Sequence, residues 1–474
     1  MRSRQYQVIL AAAIVAFGLW FLMVRLHPID SNWLHNGKVT ILDGTKSPES
    51  NQQPAPVAEK PDEKPIAVPA GEWDASWKNK EAWFKWLKSS PTLTDESTLP
   101  TTHISHEDVS KYVNSILDFE DNATFERLEC PSKIPSRYNP MRAAAGSSDQ
   151  VKYFFALDLY QSAAIIPRLM SSIIEAIRFL GPEHCAISVV EGRSEDGTYE
   201  ILATLKSRVE AMGGRFFLST SDINPLGGDY DRIEALATLR NMALHPLKAR
   251  GPSNWNDKIE GIYSSDAIII FINDIALCPE DILELVFQHV GQDAHMTCSF
   301  DWIYNGSLFY DVWVSRSLVG DTFFEIPHDA SWAYSKDMFW NDPIGKQRYE
   351  AYQPFQVYSC WGGMVTLDAA PFAEDKVKFR ASKPGECYMG EPTLLAKDMY
   401  RHGLGKVLAV PAVNVAYSDK EAVGTKLTRG YVGDHVDQSK SSLGQDELVS
   451  WKSAPPGMVK CLPNFDQPSW VDPV

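Results

Sequence analysis

The sequence predicts an α/β protein built on a mostly parallel sheet with helices on both faces. Apolar runs rich in β-branched and aromatic residues alternate with segments whose apolar residues recur at helical spacing. One run, Asp266 to Ile272, is apolar on both faces, as expected of a strand inside a parallel sheet. The chain has 474 residues, of which 44% are hydrophobic, so it can bury a large core.

Strands and helices follow one another in a regular order. The predicted strands are 153–159, 185–190, 215–218 and 266–272, and the predicted helices between them are 165–180, 199–212 and 231–244. A further helix is predicted over 393–400. Parallel neighbours need a crossover connection, usually a helix, so this alternation favours a parallel arrangement.

The N-terminus carries an uninterrupted apolar run over 8–24, preceded by Arg2 and Arg4 and followed by Arg25. A membrane-spanning helix needs about 17–25 such residues. No small-residue cleavage site follows the run, so we expect an uncleaved signal anchor. Residues 1–7 would then lie in the cytosol and the rest of the chain in a lumen.

A stem is predicted over 25–124, because this region is rich in Pro, Lys, Glu and Ser and poor in large apolar residues. Within it, four tryptophans at helix-like spacing predict a short segment that docks on the folded part; these are Trp73, Trp77, Trp83 and Trp86. The folded domain is predicted over 125–422. A polar tail over 423–474 would wrap its surface or be loose.

Charge and cysteine content narrow the class of protein. The net charge of −16 argues against a nucleic-acid partner, which would need a basic surface. Seven cysteines without any C-x-x-C pair make a zinc site unlikely and predict two or three disulfides with at least one thiol left over. The sequons at Asn122 and Asn305 are meaningful only in a secretory compartment.

Polar residues end two of the predicted strands. Asn273 and Asp274 follow the fourth strand, and Glu191 ends the second, before the turn Asp196-Gly197-Thr198 in which Thr198 is a candidate helix N-cap. Ligands of open α/β sheets bind beyond the carboxyl ends of strands, and a carboxylate there can hold a divalent cation. The alternative is that these acids only stabilise turns.

Arg240, near the end of the helix predicted over 231–244, is a candidate for binding a diphosphate. The alternative for Arg240 is a solvated helix face. Asp301 and Asp311 lie in aromatic-rich segments, which suit recognition of sugar hydroxyls and ring faces. Their alternative is a buried acid paired with Arg316 or with a backbone donor.

Several short motifs in a fixed order resemble the fungal capsule-associated α-1,3-mannosyltransferase family between about Tyr153 and Ser418. They are Leu239-Arg240-Asn241, Phe271-Ile272-Asn273-Asp274-Ile275, Cys278-Pro279-Glu280-Asp281, Thr297-Cys298-Ser299-Phe300-Asp301-Trp302, the segment 309–316, Tyr358-Ser359-Cys360-Trp361-Gly362-Gly363-Met364, the segment 385–391, and Val413-Asn414-Val415-Ala416-Tyr417. This resemblance implies a type II Golgi protein that uses GDP-mannose and a mannoside acceptor. It also implies an A-type glycosyltransferase fold, a Rossmann-like mixed sheet, and Mn²⁺ or Mg²⁺ as cofactor.

The resemblance also assigns roles to residues. It implies that the nucleotide sugar contacts Glu191, Arg240, Asn273 and Asp274, that the acceptor contacts Asp311, Trp361 and Gly362, and that the catalytic candidates are Asp301, Glu386 and Glu391. Asp274 would bind the metal, with His402 as a second candidate ligand whose alternative is a favourable position at a helix C-terminus.

Two other functions stay open at this point. The usual Asp-x-Asp metal motif is replaced by Asn273-Asp274, so a non-catalytic lumenal assembly or export factor is one alternative. A xylosyl or other transferase with a UDP donor is the other. If the donor is GDP-mannose, an α-1,3 product means retention of configuration, either by direct transfer or through a covalent intermediate on Glu386 or Glu391.

Overall fold

The computed structural model describes residues 104–142, 150–226, 231–248, 263–326, 335–445, 447–463 and 467–474. Apart from Leu226, these residues belong to one compact unit that comprises 70–225 and 229–474. The predicted anchor over 8–24 and the four tryptophans of the stem lie outside the described residues. Within the ranges described, no helix is long and apolar enough to cross a membrane.

A nine-stranded sheet forms the centre of the described unit. Its strands are β1 (Val151–Leu159), β2 (Cys185–Glu191), β3 (Arg215–Thr220), β4 (Tyr263–Ile272), β5 (Met296–Ile303), β6 (Leu308–Phe309), β7 (Phe355–Gln356), β8 (Met364–Asp368) and β9 (Val407–Ala416). Their order is β3-β2-β1-β4-β8-β5-β9-β7, and β6 pairs with β5 outside this path. A separate antiparallel pair consists of β10 (Val459–Cys461) and β11 (Ser469–Val471).

The helices are α1 (His106–Leu117), α2 (Ile166–Leu180), α3 (Thr198–Ala211), α4 (Arg232–Ala243), α5 (Pro279–Gly291), α6 (Pro343–Glu350), α7 (Ala370–Ala373), α8 (Glu391–Arg401) and α9 (Asp419–Arg429). The predicted strands and helices of the first half and the late helix are all present, with ends that differ by a few residues. Thr198 is the first residue of α3 and not its N-cap, which is Gly197 with a φ of +93°.

The sheet is mixed. Strands β1 to β4 are mutually parallel where they pair, whereas β8 runs antiparallel between β4 and β5. Strand β5 pairs in parallel with β9. The five residues of β8 follow two glycines and have no helical crossover before them, so the sequence pattern that identified the parallel half could not identify this strand.

Alternation along the strands divides the core into two layers. In β1, Phe155 and Leu157 pack into the layer that contains α2 and α5, while Phe154 and Ala156 pack into the layer that contains α4. Successive side chains of a strand point to opposite faces, so helices on both faces are required to cover this sheet. Asp158, the next residue in the Phe154–Ala156 series, falls on the α4 face.

The folded part extends beyond the predicted boundaries of 125 and 422. Helix α1, capped by the Ser105 side chain, buries Val109, Val113 and Ile116 in the layer that contains α2. At the other end, α9 continues through residue 422, and the following chain is bound to the domain: the Tyr358 hydroxyl donates to the carbonyl of Pro473 at 2.6 Å. The C-terminal end of the described tail therefore packs on the sheet domain.

Three disulfides join distant segments, Cys130–Cys278, Cys298–Cys360 and Cys387–Cys461, and Cys185 is a buried free thiol. This agrees with the two or three disulfides and the leftover thiol that the sequence predicts. The Cys298–Cys360 bond ties β5 to the segment that precedes Gly362 and Gly363. It therefore fixes a loop at the carboxyl edge of the sheet.

Candidate functional site

Several acidic side chains meet at the edge of the sheet where β1, β2 and β4 end. The pairing of Leu159 with Glu191 and of Ile272 with Met364 places the ends of these strands and the start of β8 side by side. The carboxylate cluster, as we call it, consists of Asp158, Asp274, Asp301, Asp311 and Glu391, with Arg240 among them.

Asp158 lies near the end of β1 and Asp274 just after the neighbouring β4, and both are partly buried. Burial raises the pKa of Asp158 to about 6 and that of Asp274 to about 7, and the charge of Asp158 adds to the second shift. Sequence reasoning missed Asp158. The available signal was a single carboxylate at the end of the otherwise apolar strand Tyr153–Leu159.

Arg240 and Glu391 form the one strong ion pair of the cluster. Arg240 Nε donates to Glu391 Oε1 at 2.7 Å, and the two side chains are only 8% and 3% exposed. The guanidinium carbon lies 3.9 Å from the centre of the Trp361 ring. Arg240 comes from the last turn of α4 and Glu391 is the first residue of α8, where the helix dipole favours an acid.

Asp301 and Asp311 form a second group. Asp301 is fully buried, and its carboxylate accepts from the Tyr417 hydroxyl at 2.8 Å and from the backbone N–H of Asp311 at 3.2 Å. Asp311 accepts from the backbone N–H of Gly362 at 2.7 Å. Burial, reinforced by Asp311, raises the pKa of Asp301 well above its usual range, and burial raises that of Asp311 to about 6. The alternative partner, Arg316, instead donates to backbone carbonyls.

The cluster has an excess of negative charge. It holds five carboxyl groups and one arginine, and within the described part of the chain that arginine pairs only with Glu391. Among those residues, none of the four aspartates forms an ion pair within 4.0 Å. Unpaired carboxylates that are partly or wholly buried are costly. Such an arrangement suits a site that receives a cation.

Trp361 is held beneath Arg240 and is only 2% exposed. Its Nε1 donates to Asn273 Oδ1 at 3.2 Å, so Asn273 positions this ring. The predicted contact of the acceptor with Trp361 is therefore not supported, because the ring is buried and Arg240 lies on it. Hydrophobic burial and the cation–π contact account for the tryptophan.

Gly362 is required by its backbone and by a close contact. Its φ is +63°, and a Cβ added there would lie 1.9 Å from the carbonyl oxygen of Ser299. Gly362 therefore fixes the loop and gives its N–H to Asp311, which is a positioning role; the contact of Gly362 with an acceptor stays a prediction.

Replacing Gly362 with alanine is expected to destabilise the protein by about 3 kcal/mol or more. A positive φ costs about 1–2 kcal/mol for a non-glycine residue, and the overlap with Ser299 adds about 1–3 kcal/mol. Gly385→Ala is the matched control, because Gly385 has a φ of +81° and nothing within 4 Å of the added Cβ. Denaturant unfolding should show about 1–2 kcal/mol for the control, and equal losses in both variants would contradict the role of the close contact.

Glu191 is fully buried, and its carboxylate is hydrogen-bonded within the turn that follows it. Its carboxylate oxygens accept from the backbone N–H groups of Arg193 at 2.9 Å and Ser194 at 2.8 Å. In the same region Asp196 accepts from the backbone N–H of Ala163 at 2.8 Å, which ties this turn to the loop after β1. Glu191 is at the predicted strand end, but these contacts give it a structural role.

Glu386 lies outside the carboxylate cluster. Its side chain is 8% exposed and pairs with Arg380 at 2.6 Å and with Lys397 at 3.0 Å. Although burial opposes it, hydrogen bonding to Arg380, Lys397 and a backbone N–H holds the pKa of Glu386 at about 2. The prediction that Glu386 is catalytic is therefore not supported, since both cations already neutralise it.

The stability that Glu386 contributes should depend on pH. Its folded pKa of about 2 lies below the ordinary value of 4.5, so its contribution is fully present above pH 4.5 and is lost as the pH falls through 2. We expect the difference in unfolding free energy between wild type and Glu386→Gln to shrink between pH 4.5 and 2, as measured by urea unfolding at a series of pH values. A difference that stays constant over this range would contradict the assignment.

His402 is not brought to the cluster. It is exposed and caps the C-terminal end of α8, whereas Glu391 begins that helix and faces the cluster. An 11-residue helix spans roughly 16 Å, which is too far for both ends to reach one ion. We therefore do not retain His402 as a metal ligand.

No group of three or more His, Cys, Asp or Glu side chains with metal-binding geometry occurs among the residues that the structure describes. Asp158 and Asp274 are the carboxylates of the cluster that lack a hydrogen-bond donor from another described residue, so both oxygens of each are available to a cation or a ligand. Tyr417, also missed as a site residue, holds Asp301 in place.

Comparisons with known proteins agree with the resemblance. The family described as Cryptococcal mannosyltransferase 1 matches residues 152–398. The α-1,3-mannosyltransferase CMT1 of Cryptococcus neoformans is 33% identical over 366 residues, which cover 71% of this chain and 74% of that protein.

Two solved structures show weaker similarity. TarS of S. aureus, residues 1–349, is 14% identical with a TM-score of 0.33, covering 56% of this chain and 60% of that one. The mannosyltransferase PcManGT of Pyrobaculum calidifontis, in complex with GDP-Man and Mn²⁺, is 10% identical with a TM-score of 0.32, covering 65% and 64%. This chain thus spans less than two thirds of either structure, and the scores are too low to establish a shared fold.

The family match contains every member of the carboxylate cluster as well as Arg240 and Trp361. The match covers more than half of the chain, and the identity to CMT1 extends over more than two thirds of it. The chain belongs to the cryptococcal mannosyltransferase 1 family.

Proposed function

We propose that this protein is an A-type glycosyltransferase that moves mannose from GDP-mannose to a mannoside acceptor, forming an α-1,3 linkage with retention of configuration. The observation that carries the proposal is the 33% identity to the α-1,3-mannosyltransferase CMT1 over 71% of the chain. The matched region includes the carboxylate cluster at the carboxyl edge of the sheet, where ligands of open α/β sheets bind.

The charge of the cluster supports a divalent cation, Mn²⁺ or Mg²⁺, as cofactor. A nucleoside diphosphate is itself anionic, so five carboxyl groups and one arginine would repel it. The partly buried Asp274 has no cationic partner among the described side chains and fits the single carboxylate that such ions accept together with substrate phosphates. When bound, the ion would stabilise the charge that develops on the departing diphosphate.

Arg240 would also stabilise the negative charge that develops on the departing diphosphate. It is fixed by Glu391 and by the Trp361 ring, so little reorganisation accompanies the reaction. Glu391, bound to Arg240, is a positioning residue and a poor nucleophile. Direct transfer is therefore our proposal: the departing phosphate oxygen takes the proton of the acceptor hydroxyl, and the α configuration of the donor is kept.

The Asp301–Asp311 pair is proposed to bind the acceptor. Asp311 is partly exposed at the edge of the sheet, and Asp301 beneath it is held by Tyr417. A proton retained by the buried member leaves one negative charge on the pair, which suits hydrogen bonds to sugar hydroxyls.

We also propose that the protein resides in the Golgi membrane as a single-pass type II protein, with residues 8–24 as anchor and the domain in the lumen. The three disulfides support this, because such bonds form and persist in oxidising compartments. Both sequon asparagines, Asn122 and Asn305, are exposed and thus accessible to glycans.

The test is sugar transfer by the purified full-length protein. GDP-mannose, UDP-xylose and UDP-glucose are offered separately with an α-mannoside acceptor and MnCl₂, and NMR of the product identifies the linkage. We expect an α-1,3-mannoside from GDP-mannose alone. Transfer only from a UDP sugar would overturn the donor assignment. Binding of GDP without transfer from any donor would instead indicate a non-catalytic assembly factor.

A further inference from the structure

We propose that Asp158 is the second carboxylate ligand of the divalent cation, so that the metal site is formed by Asp158 and Asp274 from the ends of adjacent strands. This inference rests on the proposed function only in that it assigns the ion to the same site. Asp158 would thus be the second acid of the metal site, in place of the first Asp that the motif Asn273-Asp274 lacks.

The strand register brings the two residues together. Ala156 pairs with Phe271 in parallel neighbours, so Asp158 lies two residues beyond this pair in β1, and Asp274 lies three residues beyond it, just past the end of β4. Neighbouring strands are about 4.8 Å apart, which lets one ion contact side chains from both. The electrostatic influence of Asp158 on the pKa of Asp274 agrees with this closeness.

The other acids of the cluster are already engaged by the protein. Glu391 is bound by Arg240 at 2.7 Å, Asp301 by Tyr417 at 2.8 Å, and Asp311 by the N–H of Gly362 at 2.7 Å. Asp158 and Asp274 have no such donor from another residue in the described ranges. Both oxygens of Asp158 and of Asp274 can therefore enter the coordination sphere of an ion, whereas Glu391 and Asp311 each have one oxygen held by a protein donor.

A second observation, independent of the acids, points to a ligand at this place. Arg240 is buried, with only 6% of its surface exposed. Its Nη1 atom has no hydrogen-bond partner among the described residues. The guanidinium lowers the pKa of both Asp158 and Asp311 electrostatically, so it lies near both carboxyl groups. A buried donor without a hydrogen-bond acceptor costs about 1–3 kcal/mol of stability. A hydrogen bond to an anionic oxygen of a ligand would remove this cost.

The two observations fit one ligand set. Two carboxylates offer oxygens to a hard cation, and the adjacent buried N–H group offers a donor to the phosphate that accompanies it. Asp158 would contribute charge as well as geometry, because a second carboxylate lowers the net charge of the bound ion to zero. Arg240 forms its ion pair with Glu391 and none within 4.0 Å with Asp158. We therefore assign Asp158 as a metal ligand and not as a partner of Arg240.

The experiment measures Mn²⁺ binding to the full-length protein by the loss of the EPR signal of free Mn²⁺, with MnCl₂ alone and with MnCl₂ plus GDP. We expect one bound ion in the wild type. Asp158→Asn and Asp274→Asn should each weaken its binding at least 30-fold. Asp311→Asn is the charge-matched control, since it removes one acid of the same cluster and should weaken binding less than threefold.

The result that overturns the proposal is an Asp158→Asn affinity equal to that of Asp311→Asn, or an absence of bound Mn²⁺ in the wild type. If Asp158→Asn does not fold, judged by circular dichroism, Asp158→Ser replaces it with the same expectation. Failure of the proposed function can be told apart from failure of this proposal. In that case the wild type would show no mannose transfer, but the Mn²⁺ titrations would still depend on Asp158.

Discussion

Replacing Asp274 with asparagine is expected to lower kcat for mannose transfer from GDP-mannose about 1,000-fold. The variant keeps the shape of the side chain but removes the charge that holds the cation against the donor diphosphate. Loss of one preorganised electrostatic contact to developing charge typically costs 100- to 1,000-fold, and loss of a metal contact lies at the upper end. The measurement is initial rates with MnCl₂ at saturating acceptor, over a range of GDP-mannose concentrations.

A control on the same strand separates this effect from damage to β4. Asp266 lies at the opposite end of β4 and forms an exposed ion pair with Lys152 at 2.9 Å. Exposed pairs contribute about 0–1 kcal/mol, so Asp266→Asn should keep the wild-type kcat and thermal stability. If Asp274→Asn retained more than a tenth of the wild-type kcat, Asp274 would not hold the cation in the reacting complex.

Sequence patterns identified the parallel half of the fold because its signal is local. Each of β1, β2 and β4 is an apolar run separated from the next by a helix with its own periodicity. The antiparallel β8 and the short β6 and β7 carry no comparable pattern, because they are defined by pairing with distant segments.

The site was predictable where a polar residue interrupts an apolar strand end, as Asp274 does. Glu386 and Glu391 show the limit of this reasoning. Both precede or begin the same helix, yet one faces Arg240 and the other faces Arg380 and Lys397. Only tertiary packing decides which cation each acid meets, so the sequence could not separate them.

Trp361 illustrates a second limit. An aromatic residue beside two glycines is typical of a sugar-binding loop, but the burial of a ring depends on what packs against it. Here Arg240, from a helix 121 positions earlier in the chain (361 − 240), lies on the ring. Asp158 carries the same signal as Asp274, an acid near the end of an apolar strand, but this signal alone does not distinguish a ligand from an acid that only stabilises a turn.

The second large effect is expected from Arg240→Met, which should both destabilise the protein and strongly slow transfer. The variant leaves Glu391 buried at 2% exposure without its partner and removes the cation–π contact with Trp361. Breaking a buried ion pair from one side costs about 3–5 kcal/mol. Transfer per folded molecule should fall at least 100-fold, since the variant loses the one guanidinium that we place at the developing charge.

Lys426→Met is the matched control for this prediction. Lys426 and Asp281 are each 1% exposed in their side chains and form a buried pair at 2.7 Å, but the pair joins α9 to α5 away from the carboxylate cluster. We expect a comparable loss of about 3–5 kcal/mol in urea unfolding, with kcat per folded molecule within twofold of wild type. Equal losses of kcat in the two variants would mean that Arg240 acts only through stability. A loss confined to Arg240→Met would place its guanidinium in the reaction, because both variants break a buried ion pair from the cationic side.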